Sequence, residues 1–186
     1  MAQARFDEAL ERITYAKELD PISLVVNRNI GVILFYAGRY DEAVNEFKKT
    51  LELDSHFIRT HYFLGRAYLQ QSMSKEALVE FEIEKENLGY WDPILEAQIG
   101  ITYAKMGRRN EAKVILNTLI EKSKYSKIDP CTLAFLYFAL GENDQGFKSL
   151  EDAYKHGSSV LNYLRIDPRF NNVRSDPRFS EMIRKL

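Results

Sequence analysis

Apolar residues in this chain recur at helical spacing, in blocks separated by glycines and by Asp-Pro pairs. Phe6, Ala9, Leu10, Ile13 and Ala16 fall on one face at i, i+3, i+4, i+7 spacing and predict an amphipathic helix over residues 2–19. Ile30, Val32, Ile33, Leu34, Phe35 and Tyr36 are apolar nearly all round, as is LAFLYFAL at 133–140, so each predicts a helix that is covered on both sides or lines a groove. Leu64, Ala67 and Tyr68 predict an inward face on a further helix, and Ala77, Leu78, Phe81 and Ile83 the stripe of its successor. Phe147, Leu150, Ala153 and Tyr154 form another stripe. Gly38, Gly107 and Gly141 stand where a helix would end in the left-handed conformation, and Asp92-Pro93 and Asp129-Pro130 read as an N-cap followed by proline at the first helical position. Ser74 and Asn110 are expected to cap the second helices of their hairpins.

These hairpins repeat. Gly31, Leu34, Ala43 and Phe47 are matched 34 residues later by Gly65, Tyr68, Ala77 and Phe81, then 35 later by Gly100, Tyr103, Ala112 and Leu116. A further 34 residues gives Ala134, Tyr137, Gly146 and Leu150, and a step of 34 backwards from Ala43 lands on Ala9. Gly31 inside an apolar helix costs about 0.5–1 kcal/mol relative to alanine, a cost close helix packing would offset.

The period, with Gly or Ala at position 8, Tyr at 11, Ala at 20 and an aromatic at 24, resembles the tetratricopeptide repeat (TPR), a two-helix unit of about 34 residues. The resemblance implies an all-α, right-handed superhelical solenoid of antiparallel helix pairs. As one domain over 1–186, it comprises a half-repeat at 2–21, repeats at 24–57, 58–91, 93–126 and 127–160, and a cap at 161–186. The sequence departs from the consensus at position 4, where Asn27, His61, Glu96 and Pro130 replace tryptophan. The tail, with DPRF at 167–170 and again at 176–179, resembles the ending of C-terminal TPR modules in prokaryotic multidomain regulators. Each Asp is expected to cap a helix and each Phe to point into the core. The unpaired first helix suggests a module that continues upstream, the other reading being that it is itself a cap.

Composition adds exclusions. A net charge of −1 with interspersed signs argues against a nucleic-acid surface, and no apolar run approaches the roughly 20 residues of a membrane span. The charged start is unlike a secretory signal, which makes the cytoplasm the expected location. The single cysteine, Cys131, is expected to be structural. The glycines are absorbed by repeat positions, His56 and His61 miss metal-pair spacing, and Asp41-Glu42 and Glu84-Glu86 read as solvated charges. No enzyme, metal or cofactor is expected.

The expected function is binding. In this repeat family positions 2, 5, 6, 9, 12 and 13 of the first helix face a groove. The candidates are Arg28, Asn29, Phe35 and Tyr36 (with Val32) from repeat 1, then Arg59, Tyr62, Phe63, Arg66 and Gln70 from repeat 2. Gln98 and Lys105 (with Ile101) come from repeat 3, and Thr132, Phe135 and Phe138 form an apolar end in repeat 4. Aromatics with Arg and Lys suit a peptide or protein partner carrying acidic groups. Position 9 is Val32, Arg66, Ile101 and Phe135, without the asparagine of the chaperone-binding clamp, so that activity does not carry over. The alternatives are self-association as a homodimer, through the two apolar helices or the half-repeat, and service as a regulatory domain of a larger signalling or transcription regulator.

Overall fold

The computed structural model describes residues 2–186 and is helical: α1 (Ala2–Leu19), α2 (Leu24–Tyr36), α3 (Tyr40–Leu53), α4 (Thr60–Gln70), α5 (Ser74–Leu88), α6 (Pro93–Lys105), α7 (Arg109–Ser123), α8 (Pro130–Ala139), α9 (Asn143–Lys155) and α10 (Pro177–Lys185). Two 3-10 segments, Ser159–Tyr163 and Pro168–Val173, precede α10. The chain forms two compact units, the first ending at Tyr90 and the second spanning Trp91–Leu186.

In the first unit α2 pairs with α3 and α4 with α5, while α1 packs on α2 and α3 on α4. The small residues at position 8 are holes for aromatic knobs. A methyl group on Gly31 would lie 2.5 Å from the Phe47 ring, and one on Gly65 would lie 2.6 Å from the Phe81 ring. Both rings are fully buried, so each glycine exchanges its side chain for the approach of a ring from the paired helix. Ala43 and Ala77, on the paired helices α3 and α5, are wholly buried. In the second unit α6 pairs with α7 and α8 with α9. Here Gly146 on α9 makes room for Phe138 of α8, so hole and knob have exchanged helices.

All four hairpin turns share one backbone closure. The amides of Arg39, Met73, Arg108 and Glu142 donate to the carbonyls of Leu34, Tyr68, Tyr103 and Tyr137, each at 2.9 Å. That five-residue return is the Schellman closure and needs a left-handed residue just before the donor. Gly38, Gly107 and Gly141 supply it, and in repeat 2 Ser72 takes it with φ at 63°. The residue that closes the turn is also the N-cap of the next helix. Met73 and Arg108, not Ser74 and Asn110, therefore occupy the cap positions, and neither makes a side-chain cap. The Asp-Pro caps form as expected: Asp92 accepts from the amides of Ile94 and Leu95 and Asp129 from that of Cys131.

The tail folds back on the second unit. Asp167 and Asp176 cap the second 3-10 segment and α10, and Phe170 and Phe179 are buried. Phe170 sits 4.9 Å from the Phe135 ring and 6.2 Å from that of Phe138, and Asn172 donates to the Phe138 carbonyl at 2.8 Å. Arg169 lies over Phe135 at 3.5 Å. The tail thus covers α8. This corrects the expectation that Thr132, Phe135 and Phe138 line an open groove and that 133–140 is free to pair between chains: all three residues are buried. Cys131 is buried in the same core cluster with its Sγ 3.7 Å from Ser158 Oγ, and burial pushes its thiol up to about 12. Trp91 is half-buried on the second unit's core with the Lys122 ammonium 3.8 Å from its ring.

Candidate functional site

Most of the candidate residues lie on α2 and α4 of the first unit. These helices pack beside each other, and positions 12 and 13 of one meet positions 5, 6 and 9 of the next. Phe35 meets Phe63 edge-on at 6.3 Å, and Tyr62 meets Phe63 edge-on at 5.2 Å. Arg66 fills the space between them. Its guanidinium carbon is 4.6 Å from the Phe35 ring, 5.7 Å from Tyr36 and 5.6 Å from both Tyr62 and Phe63, and it donates to the Tyr36 hydroxyl at 3.4 Å. A planar, weakly hydrated cation tolerates such a cage, which an ammonium would fill poorly. Arg66 is only 2% exposed, so it braces the aromatic cluster from within.

The predicted site residues fall into three groups. Phe35, Tyr62 and Arg66 are buried in the cluster, with Phe35 at 1% and Tyr62 at 5% exposure. Arg28, Asn29, Tyr36, Arg59, Phe63 and Gln70 are half-buried; Tyr36 and Phe63 supply rings of the cluster, and the Arg59 guanidinium lies 5.6 Å from the Tyr62 ring. Gln98 and Lys105 belong to the second unit, where Gln98 is buried with its carbonyl oxygen lacking a hydrogen-bond partner and Lys105 is exposed at the end of α6.

Arg28 is held by several weak partners. It donates to the Ile58 carbonyl and to Asn29 Oδ1, each at 3.2 Å, and lies 5.2 Å from the Phe57 ring. Burial lowers its pKa and the Glu84 charge partly restores it.

Two buried polar groups next to this face differ from their reading in sequence. Glu84, taken as a solvated charge, is 1% exposed and accepts the backbone amides of Arg59 at 2.8 Å and Tyr62 at 3.3 Å. Its position after Ala77 and Phe81, at i+7 and i+3, puts it on the buried stripe of α5, which was a readable signal. It caps α4 from outside, because α4 begins at a left-handed Arg59 without a side-chain cap of its own. His61 is the second: its Nδ1 is 2.5 Å from Glu80 and its Nε2 is 3.0 Å from the Ser55 carbonyl. Among the described residues no cluster of three His, Cys, Asp or Glu could hold a metal, and no helix is long and apolar enough to cross a membrane.

Stacked helical hairpins with knob-and-hole pairs at a fixed period define a helical-repeat protein. Family profiles identify the repeats: a TPR repeat profile matches residues 31–72 and a tetratricopeptide repeat profile matches residues 98–123. The chain carries tetratricopeptide repeats. Solved structures share the fold. A thermophilic TPR protein of Thermus thermophilus superimposes with a TM-score of 0.69 at 18% identity, over 97% of this chain and 91% of that one. MamA gives 0.57 at 18%, over 85% and 92%, and YrrB, a TPR protein with an unusual peptide-binding site, gives 0.56 at 21%, over 95% and 100%. Among curated protein sequences none matches the chain.

Proposed function

We propose that the α2–α4 face of the first unit binds a segment of a protein partner, without catalysis. The observation that carries this reading is the caged Arg66. A guanidinium braced by four rings makes a stiff aromatic floor, and stiffness lowers the ordering cost of binding. Tyr36 and Phe63 at its border supply aromatic contact, and Arg28, Asn29, Arg59 and Gln70 supply donors suited to carboxylates and backbone carbonyls. Gln98 and Lys105 hold the matching repeat positions on α6. The peptide-binding site reported for YrrB supports a peptide as ligand class.

The test is selection of peptides from a displayed library against the intact chain, followed by titration of the selected peptide. Arg28→Glu combined with Tyr36→Ala is expected to weaken binding at least about tenfold while the helical circular dichroism stays unchanged. Undiminished affinity in the folded variant would reject this face as the site.

A second reading, self-association, rests on exposed apolar residues at the start of the chain. Tyr15 is 63%, Leu19 71%, Ile22 74% and Val25 52% exposed. Light scattering over a concentration series separates the two readings, since a constant monomer mass removes this one.

A further inference from the structure

Position 4 of the first helix, where the repeat consensus places tryptophan, does something different here, and does it twice. In repeat 1 the side-chain amide of Asn27 donates to the carbonyl of Pro21, six residues back, at 2.9 Å, and to that of Ser23 at 3.0 Å. In repeat 2 the Nε2 of His61 lies 3.0 Å from the carbonyl of Ser55, again six residues back. Each side chain stitches its helix to the loop that leads into it. The Asn27 amide donates at every pH. An imidazole donates from one nitrogen when neutral and from both when protonated.

Both His61 nitrogens face acceptors. Nδ1 meets the Glu80 carboxylate at 2.5 Å and Nε2 meets a carbonyl, which has no hydrogen to give. Whichever neutral tautomer formed, one nitrogen lone pair would point at an acceptor oxygen. Only the imidazolium satisfies the geometry. We infer that His61 is a proton-operated latch: protonated, it ties the 54–59 loop to α5 through α4, and on losing its proton it must release either Ser55 or Glu80.

The charges around the ring agree. Glu80 and Glu84 face it from α5, and Ser55 presents its carbonyl from the loop. The loop's other histidine, His56, is exposed and lies against the Ser55 hydroxyl. Arg28 of α2 faces Glu84 and not the ring. Burial by itself lowers the His61 pKa, but the Glu80 hydrogen bond, the Ser55 carbonyl and the two carboxylate charges outweigh it and hold the ring above its ordinary value.

The latch has a direct structural consequence. The loop it holds also carries the Ile58 carbonyl that anchors Arg28 and the Arg59 amide that Glu84 caps. A charged carboxylate holds the remaining N–H more strongly than a carbonyl, so the neutral ring keeps Glu80 and releases Ser55, which loosens the border of the α2–α4 face and makes its order depend on pH.

The chain has three histidines, which makes the test clean. In nitrogen-detected NMR of the intact chain, His61 is expected to stay doubly protonated at pH 6.5, with a midpoint above the free value of about 6.5. By linkage, the excess protonation of the folded state is stabilising below about pH 6.5 and is lost as pH rises through the His61 midpoint. The folded-to-unfolded ratio measured by urea titration should fall tenfold for each unit by which that midpoint exceeds the free value. His61→Asn, which copies the permanent stitch of repeat 1, should flatten this dependence. A neutral His61 ring at pH 6, or a midpoint at or below the free value of about 6.5, overturns the inference. So does a wild-type stability profile that runs parallel to that of His61→Asn, and the NMR result stands even if that variant does not fold.

Discussion

The carboxylate of Glu84, on α5, accepts the backbone amide of Arg59 at 2.8 Å, and Arg59 is the left-handed residue, φ 67°, from which the chain enters α4. A helix start that lacks its own cap is thus satisfied by a side chain 25 residues downstream. Glu84→Ala leaves those amides buried without an acceptor and is expected to cost about 1–3 kcal/mol. Glu84→Gln keeps an acceptor oxygen and should cost less. Urea unfolding of the two variants checks the order, and equal stability of Glu84→Ala and wild type would contradict the capping role.

Gly31 and Gly65 leave no room for a side chain. Gly31→Ala drives a methyl into Phe47, and about 1–3 kcal/mol of destabilisation follows from overpacking. Because the clash is with one ring, Phe47→Leu in the same chain should make the alanine less costly than it is alone. A double-mutant cycle of melting curves measures that coupling, and strict additivity would show that the contact is not the cause.

Ser72 is the one hairpin-turn residue that takes the left-handed conformation without being glycine. A side chain there costs about 1–2 kcal/mol, part of which glycine's greater freedom in the unfolded chain returns. Ser72→Gly is therefore expected to stabilise by about 0.5–1 kcal/mol, whereas Gly38→Ala at the matching turn should destabilise. Opposite signs in thermal unfolding are the result to look for.

The tail is structural cover for α8. Phe170 is fully buried among Phe135, Phe138 and Phe179, so Phe170→Ala should cost about 3–5 kcal/mol, and removal of residues 161–186 should cause aggregation or a lower melting temperature. An unchanged melting curve for the truncated chain would refute this.

Cys131 lies in the core cluster to which Phe170 also belongs. With its thiol pushed up to about 12 by burial, it holds almost no thiolate at pH 8 and should resist thiol reagents in the folded chain. Labelling should proceed at the rate of opening, and faster labelling in Phe170→Ala than in wild type would tie that opening to the tail.

Local signals were legible wherever one residue decides one backbone conformation or one helix face. The glycines of the hairpin turns, the Asp-Pro starts, the paired DPRF caps and the small residue facing an aromatic all follow from sterics and hydrogen bonding within a few residues, or from the period that relates them. Ser74 and Asn110 were misplaced by one and two residues, because the Schellman closure makes its last residue double as the next N-cap. That overlap belongs to the turn and not to any side chain's preference.

The candidate site is a set of residues in the sequence and an arrangement only in the fold. The repeat register assigned Arg28, Asn29, Tyr36, Arg59, Phe63, Arg66 and Gln70 to a groove lined by successive first helices, yet a repeat register does not say how deep each side chain lies. Packing decided that Arg66 is enclosed by four rings and almost fully buried while Arg28 stays half-buried. Tertiary contact likewise turned Glu84 from a surface charge into a cap, gave both His61 nitrogens an acceptor, and filled the face of α8 with Phe170. The sequence alone determined the repeating hairpin, because its period and small residues are local steric requirements. Only the tertiary structure decided which polar groups lose water, because desolvation depends on neighbours that lie 19, 25 and 34 residues away in the chain.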